Sequence, residues 1–116
     1  YFHYFCRKQN SVKNISAKEL QQKIEAKENL FLLDIREDYE REAAHIPSEH
    51  IPMANVSQEA INFPKDKEIV VICRSGRRAI PVADLLVNEF AFENVSILEG
   101  GLLAWKEKID PTLDLD

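Results

Sequence analysis

The chain has 116 residues, of which 45% are hydrophobic, and its fifteen basic and twenty acidic residues give a net charge of −5. This length supports one domain with a hydrophobic core and is too short for two. The negative charge argues against nucleic acid or an anionic membrane as a partner, and no apolar run approaches the roughly 20 residues of a membrane span. With two cysteines and no signal-peptide pattern, we expect a cytoplasmic protein with free thiols.

Residues 1–14 are predicted to be a linker or an N-terminal extension, because they are aromatic, polar and basic without a regular period. Cys6 has no second cysteine at a metal-ligand spacing such as C-x-x-C, which favours an inert thiol. The alternatives are a second redox or resolving thiol, or a ligand of a metal site further upstream. Because the first residue is Tyr1 and not methionine, we expect a fragment or a processed product.

An ordered domain is predicted over residues 15–110, and it begins with a helix over about 17–26. Ser16 followed by Glu19 is a capping box, and apolar residues on either side form the matching hydrophobic staple.

An apolar strand over 30–35 comes next, with Asp34 and Arg36 at its carboxyl end. A carboxylate and a guanidinium at that point can form a buried ion pair that holds neighbouring loops. We therefore predict a framework role for both residues. The alternative for Arg36 is a position at the mouth of a site.

The middle of the chain is predicted to contain several short elements. A polar helix over 37–44 leads to His45, which we expect to support a turn rather than to act as an acid or base. A short strand over 51–53 and a small helix over 57–62 follow, and a turn at 64–67 delivers the chain to the next strand.

The most informative stretch is a buried strand over 69–72, then a six-residue loop that begins with Cys73 and ends with Arg78, then a helix. The unbroken apolar run is typical of a strand covered on both faces. After the loop the period becomes helical, with apolar residues at Ile80, Val82, Ala83, Leu86 and Val87. Pro81 is tolerated because it falls in the first turn.

Cys73 is thus predicted to lie at the carboxyl end of a strand, beneath a helix amino terminus. The first N–H groups of a helix lack partners and carry partial positive charge, which stabilises a thiolate or another anionic sulfur species. Arg74, Arg77 and Arg78 add full positive charges to the same loop. We infer that Cys73 is a nucleophile in an anion cradle. A buried structural cysteine is the alternative, but it explains neither Gly76 nor the arginines.

The last elements are a strand over 95–98, the glycines Gly100 and Gly101, and a helix in which Trp105 belongs to the core. Residues 111–116 form an acidic tail. Strands that alternate with helices predict an α/β fold, in which a parallel sheet is covered by helices on both faces and a site lies at the carboxyl ends of its strands.

The loop Cys73-Arg74-Ser75-Gly76-Arg77-Arg78 resembles the active-site loop of rhodanese-type sulfurtransferase domains. Further matches follow in the order of that family, at 32–37, 45–47, 98–101 and Trp105. The resemblance covers about residues 15–109. The chain departs from the family where a glycine more often precedes the histidine and Gly-Ala follows the proline, since Ala44 and Ser48-Glu49 stand there.

The resemblance implies a single domain with a mostly parallel five-stranded sheet. It also implies that Cys73 accepts a sulfane sulfur, becomes a persulfide and passes the outer sulfur to a nucleophile. The backbone amides of Arg74 through Arg78 would cradle the persulfide, and Asp34 and Arg36 would support the loop. No metal or organic cofactor is implied.

The resemblance also suggests classes of partner. The donor would be thiosulfate or the persulfide of a cysteine desulfurase, and the acceptor would be cyanide, a thioredoxin-like thiol or a ubiquitin-like sulfur carrier protein. The stretch 100–111 resembles the carboxyl-terminal rhodanese domain of adenylyltransferase–sulfurtransferase proteins, which implies a link to molybdopterin or thiamine synthesis.

Two other functions are compatible with parts of the pattern. Phosphatases that share the rhodanese fold, and arsenate reductases, are one alternative, but phosphatase loops have the spacing Cys-x5-Arg, whereas four residues separate Cys73 from Arg78 here. A rhodanese-like module that only binds a partner is the other, and the presence of Cys73 argues against it.

Overall fold

The computed structural model describes residues 12–115 as five parallel strands and five α-helices. The strands are β1 Val12–Ile15, β2 Leu30–Asp34, β3 Glu49–His50, β4 Glu68–Ile72 and β5 Val95–Leu98. The helices are α1 Ala17–Glu25, α2 Asp38–Ala43, α3 Val56–Glu59, α4 Ala79–Asn88 and α5 Gly101–Lys108. The sheet has the strand order β1-β5-β4-β2-β3, which confirms the predicted five-stranded α/β fold.

The sheet separates two hydrophobic clusters because side chains alternate along β4. Val71 and Cys73 pack with α3 and α4 on one face, whereas Val70 and Ile72 pack with α1 and α5 on the other. Trp105 belongs to the second cluster, as predicted. All five residues of β4 are buried, which explains the unbroken apolar run in the sequence. The carboxyl end of this central strand delivers Cys73 to the edge where the site lies.

The predicted start of α1 is confirmed. The Ser16 side chain accepts a hydrogen bond from the Glu19 backbone N–H, and the Glu19 side chain accepts one from the Ser16 backbone N–H. Both partners of the staple, Ile15 and Leu20, are buried.

The sheet begins earlier than the sequence indicated. Residues 12–14 of the predicted linker belong to β1, which pairs with β5 from Val12 to Ile15. This strand carries no apolar signal because Lys13 and Asn14 are polar and β1 lies at the sheet edge, where three of its four residues are exposed. Cys6 and the rest of the predicted extension lie outside the described residues.

The strand predicted over 51–53 is misplaced. β3 is Glu49–His50, and the chain enters a 3-10 turn at Met53–Asn55 directly after Pro52. The Ile51 N–H still donates to the Asp34 carbonyl and the Met53 N–H to the Ile35 carbonyl, so the segment stays beside β2 until the turn begins. The helix predicted over 57–62 is divided into α3 and a 3-10 turn at Ala60–Asn62.

The helix after the loop is confirmed as α4, but one residue of its predicted apolar face is not in the core. Ile80 is 60% exposed, in the first turn of α4. Between residues 12 and 115, no helix is both long and apolar enough to cross a membrane.

Candidate active site

The loop from Cys73 to Arg78 curls around a buried sulfur atom. Cys73 is fully buried, and its Sγ accepts a hydrogen bond from the Gly76 N–H at 3.1 Å. Gly76 has φ +96°, a backbone conformation that other residues rarely adopt, and a Cβ there would lie 3.3 Å from the Gly100 nitrogen. The loop therefore needs glycine at this position to bring its amide to the sulfur.

The other predicted cradle amides are arranged differently. The Arg77 N–H donates weakly to the Ser75 Oγ at 3.4 Å, inside the loop. Among the described contacts, Gly76 supplies the amide that reaches Sγ. Any wider cradle around a persulfide therefore stays a prediction.

Helix α5 holds the first two residues of the loop. The Leu102 N–H donates to the Cys73 carbonyl at 2.9 Å, and the Leu103 N–H donates to the Arg74 carbonyl at 3.0 Å. These are first-turn amides, which have no acceptor within their own helix. The carbonyl groups of Cys73 and Arg74 accept these hydrogen bonds, which hold the start of the loop close to α5. The glycine pair at the start of α5 is the sign of this contact in the sequence.

The close contact between loop and helix depends on Gly101. This residue has φ +62°, and a Cβ on it would lie 2.4 Å from the Arg74 carbonyl oxygen and 2.5 Å from the Cys73 carbonyl oxygen. A glycine at this position lets the backbone of α5 pass where a side chain would clash.

The three loop arginines have different surroundings. Arg77 is exposed to solvent. Arg74 is half-buried, and its Nη1 donates to the Leu115 carbonyl at 2.9 Å, so this side chain contacts the C-terminal tail. Arg78 makes a bidentate ion pair with Glu40 of α2, with both N–O distances at 2.8 Å. The three positive charges of the loop therefore lie in solvent, at the C-terminal tail and against Glu40.

Glu40 and Arg78 stabilise each other's charged forms. Hydrogen bonds from Arg78 lower the pKa of Glu40 from its usual 4.5 to about 2. Hydrogen bonds to Glu40 raise the pKa of Arg78, and the charge of a Cys73 thiolate contributes in the same direction. The guanidinium of Arg78 is thus held by Glu40 at the end of the loop that begins with Cys73, directly before α4.

This pair predicts a pH-dependent contribution to stability. Because the folded pKa of Glu40 is depressed, its stabilisation is fully present above the unfolded value of 4.5 and is lost as the pH falls toward 2. Glu40→Gln is expected to lower the free energy of unfolding by about 1–2 kcal/mol at pH 7, since solvent at the Arg78 end weakens the pair. Urea unfolding of both proteins from pH 7 to pH 3 measures this, and the difference should shrink only below pH 4.5. A constant difference down to pH 3 would contradict it.

Asp34 and Arg36 form the predicted buried ion pair. The side chains are 1% and 2% exposed, and the shortest N–O distance is 2.9 Å. Burial raises the pKa of Asp34, but hydrogen bonds from Arg36 outweigh burial and hold it below its usual range. Because Arg36 is buried and its guanidinium binds Asp34, the alternative position at the mouth of the site is wrong.

The ion pair also positions α2. The remaining N–H groups of Arg36 reach the carbonyl of Glu40 at 3.3 Å and that of Ala44 at 2.7 Å. His45 lies just after this helix, where its Nδ1 is 3.0 Å from the Arg41 carbonyl oxygen, so it supports the turn as predicted. The framework residues thus act on the loop through Glu40, a residue that sequence reasoning missed.

The described residues offer no site for a metal ion. Over 12–115, histidine, cysteine, aspartate and glutamate side chains do not gather in a group of three or more that could hold one. What the arrangement offers is a buried thiol, one backbone donor at the sulfur and a cationic loop.

Comparison with known proteins gives a consistent result. A family model described as "Rhodanese-like domain" matches residues 16–108. The chain is 43% identical over 101 residues to a Bacillus subtilis protein named "Putative sulfurtransferase YtwF", covering 86% of this chain and 96% of that protein. It is 32% identical over 109 residues to "Adenylyltransferase and sulfurtransferase MOCS3" of Drosophila persimilis, covering 87% of this chain but 24% of that protein. A crystal structure of a rhodanese-related protein from Thermoplasma volcanium matches with a TM-score of 0.75 and 28% identity, over 90% of this chain and 99% of that one.

Proposed function

Because the chain belongs to the rhodanese-like family, we propose that it is a sulfurtransferase that carries a sulfane sulfur as a persulfide on Cys73. The observation that carries this proposal is the Cys73 Sγ, enclosed by the loop and in contact with the Gly76 N–H at 3.1 Å. We take the transfer domain to run from Val12, where β1 begins, to residue 110, with the preceding residues as an extension and 111–116 as a tail, and we expect the protein to act in the cytoplasm.

The chemistry proceeds in two displacements. The Cys73 thiolate attacks the outer sulfur of the donor, a new S–S bond forms, and the old S–S bond breaks with its electron pair on the leaving group. With thiosulfate the leaving group is sulfite. A nucleophilic acceptor then attacks the outer sulfur of the persulfide and releases Cys73 as a thiolate, so no external oxidant or reductant is needed.

The residues around the sulfur have separate roles in this scheme. The Gly76 amide donates to the anionic sulfur, and Arg78 adds a positive charge nearby. The helix amino terminus of α4, which begins at Ala79, contributes a partial positive charge. Asp34 and Arg36 support the loop through α2 and do not touch the reacting atoms.

Donor and acceptor are proposed by class. Thiosulfate or a protein persulfide such as that of a cysteine desulfurase would supply the sulfur. Cyanide, a thioredoxin-like thiol or a ubiquitin-like sulfur carrier would accept it. The similarity to a protein named as both adenylyltransferase and sulfurtransferase supports the carrier-protein route. The proposal includes a link to molybdopterin synthesis.

Intact mass spectrometry of the protein after thiosulfate treatment and desalting tests the proposal. We expect a gain in mass of one sulfur atom, lost on reduction and located on the peptide that contains Cys73. Cys6→Ala is the matched control, and it should gain the same sulfur. A sulfur that disappears with Cys6→Ala, or no gain with thiosulfate and with an organic persulfide donor alike, would overturn the proposal.

A further inference from the structure

The ion pair between Arg78 and Glu40 is built into the fold rather than being a chance surface contact. The Glu40 side chain is 13% exposed, and both of its carboxylate oxygens bind the guanidinium of Arg78. Charged hydrogen bonds in this bidentate geometry fix orientation as well as distance.

Glu40 is also held from its own side of the contact. Its Oε1 accepts a hydrogen bond from the Glu37 N–H at 2.9 Å, as part of the capping box of α2. Its carbonyl accepts one from the buried Arg36. The carboxylate therefore does not need to move to meet Arg78, and its position follows from the Asp34–Arg36 pair below it.

The consequence for the loop is electrostatic. Glu40 holds the Arg78 guanidinium in one place, but its negative charge offsets much of the positive potential that Arg78 would provide at the sulfur. The negative charge of Glu37 also stabilises the charged form of Arg78 and therefore adds to the offset. A singly charged persulfide or thiosulfonate loses about half as much attraction from this offset as a dianion such as thiosulfate.

We propose that Glu40 is a positioning residue that sets donor selectivity: by neutralising Arg78 it disfavours dianionic sulfur donors relative to singly charged ones. This inference rests on the sulfurtransferase function proposed above. It identifies the preferred donor class as an organic sulfane species with one negative charge, such as a persulfide anion.

Two small donors that differ chiefly in charge test the idea. Thiosulfate carries two negative charges and releases sulfite, and methanethiosulfonate carries one and releases methanesulfinate. Both give the same Cys73 persulfide by cleavage of one S–S bond. With cyanide as acceptor, kcat/KM for the donor reports the first displacement alone, because the two displacements are separate steps.

Glu40→Gln removes the charge and keeps nearly the same shape. We expect the ratio of kcat/KM for thiosulfate to that for methanethiosulfonate to rise about five- to tenfold, as one charge beside the site is removed. The matched control is Glu42→Gln, an exposed carboxylate on the same helix, which should leave the ratio within about twofold. If Glu40 only stabilised the fold, both donors would lose rate in parallel, and an unchanged or lower ratio overturns the proposal.

The electrostatic origin of the effect is tested with Arg78→Gln and the double variant. Arg78→Gln removes the positive charge that Glu40 offsets, so the ratio should fall by about five- to tenfold. Because the two charges add at the sulfur, Glu40→Gln should raise the ratio by a similar factor in the Arg78→Gln background. A ratio that Arg78→Gln leaves unchanged or raises would overturn the assignment. Failure of the sulfurtransferase function would look different, because the unmodified protein would then form no persulfide with either donor.

Discussion

Cys73→Ser is expected to reduce sulfur transfer to less than about one-thousandth of the original rate, because a serine hydroxyl cannot form the persulfide intermediate. Thiocyanate formation from a sulfane donor and cyanide measures the loss. Serine is the suitable replacement since its Oγ can accept the hydrogen bond that Gly76 donates to Sγ. The buried loop should therefore keep its shape.

The fold of this variant must be checked independently. Its thermal midpoint should stay within a few degrees of the original, as one hydrogen-bond acceptor replaces another. Cys73→Ala is a second test that introduces no hydroxyl, and it should be equally inactive. Retention of more than a tenth of the rate by either folded variant would show that another group carries the sulfur.

Gly101→Ala is expected to destabilise the protein by about 3 kcal/mol or more and to impair transfer severely. An ordinary glycine-to-alanine change inside a helix stabilises by roughly 1 kcal/mol. Here the sign reverses, because the new Cβ would lie about 2.5 Å from the backbone of Cys73 and Arg74, at a positive φ. Either α5 or the loop must move, and both amide contacts to the loop carbonyls are then weakened.

Urea unfolding and the cyanide assay measure the two effects together. Leu103→Ala is the control, since this residue is in the same turn of α5 but its side chain is 41% exposed. It should cost less than about 1 kcal/mol and leave the rate nearly unchanged. A Gly101→Ala protein as stable and active as this control would show that the contact between α5 and the loop is not tight.

Local signals in the sequence account for most of what could be predicted. The capping box at Ser16 and Glu19, the apolar run of β4 and the change of period at Ala79 each depend on neighbouring residues. The strand end that places Cys73 follows from the same rules. The loop can thus be located from the amino-acid sequence alone.

The features that were missed depend on distant residues or on polar edges. Glu40 and Arg78 are 38 residues apart, and nothing in either segment marks the other as its partner. The capping box from Glu37 to Glu40 is visible in the sequence, but it indicates only the start of a helix. β1 was missed because its pairing with β5, and not its own composition, makes it a strand.

The pairing of β1 with β5 also has a consequence for how the chain folds. Val12 pairs with Val95, so the first strand finds its partner only after nearly the whole domain has been made. During synthesis β4 can pair with β2 before β5 has been made. Until then β1 has no partner strand, and its backbone groups are solvated. Closing so long a loop reduces the entropy of the chain before the contacts that offset this loss have formed. Chains of high contact order fold slowly for this reason. Until β5 arrives, one edge of β4 is open to strands of other molecules, and newly made chains are most prone to aggregate in that interval.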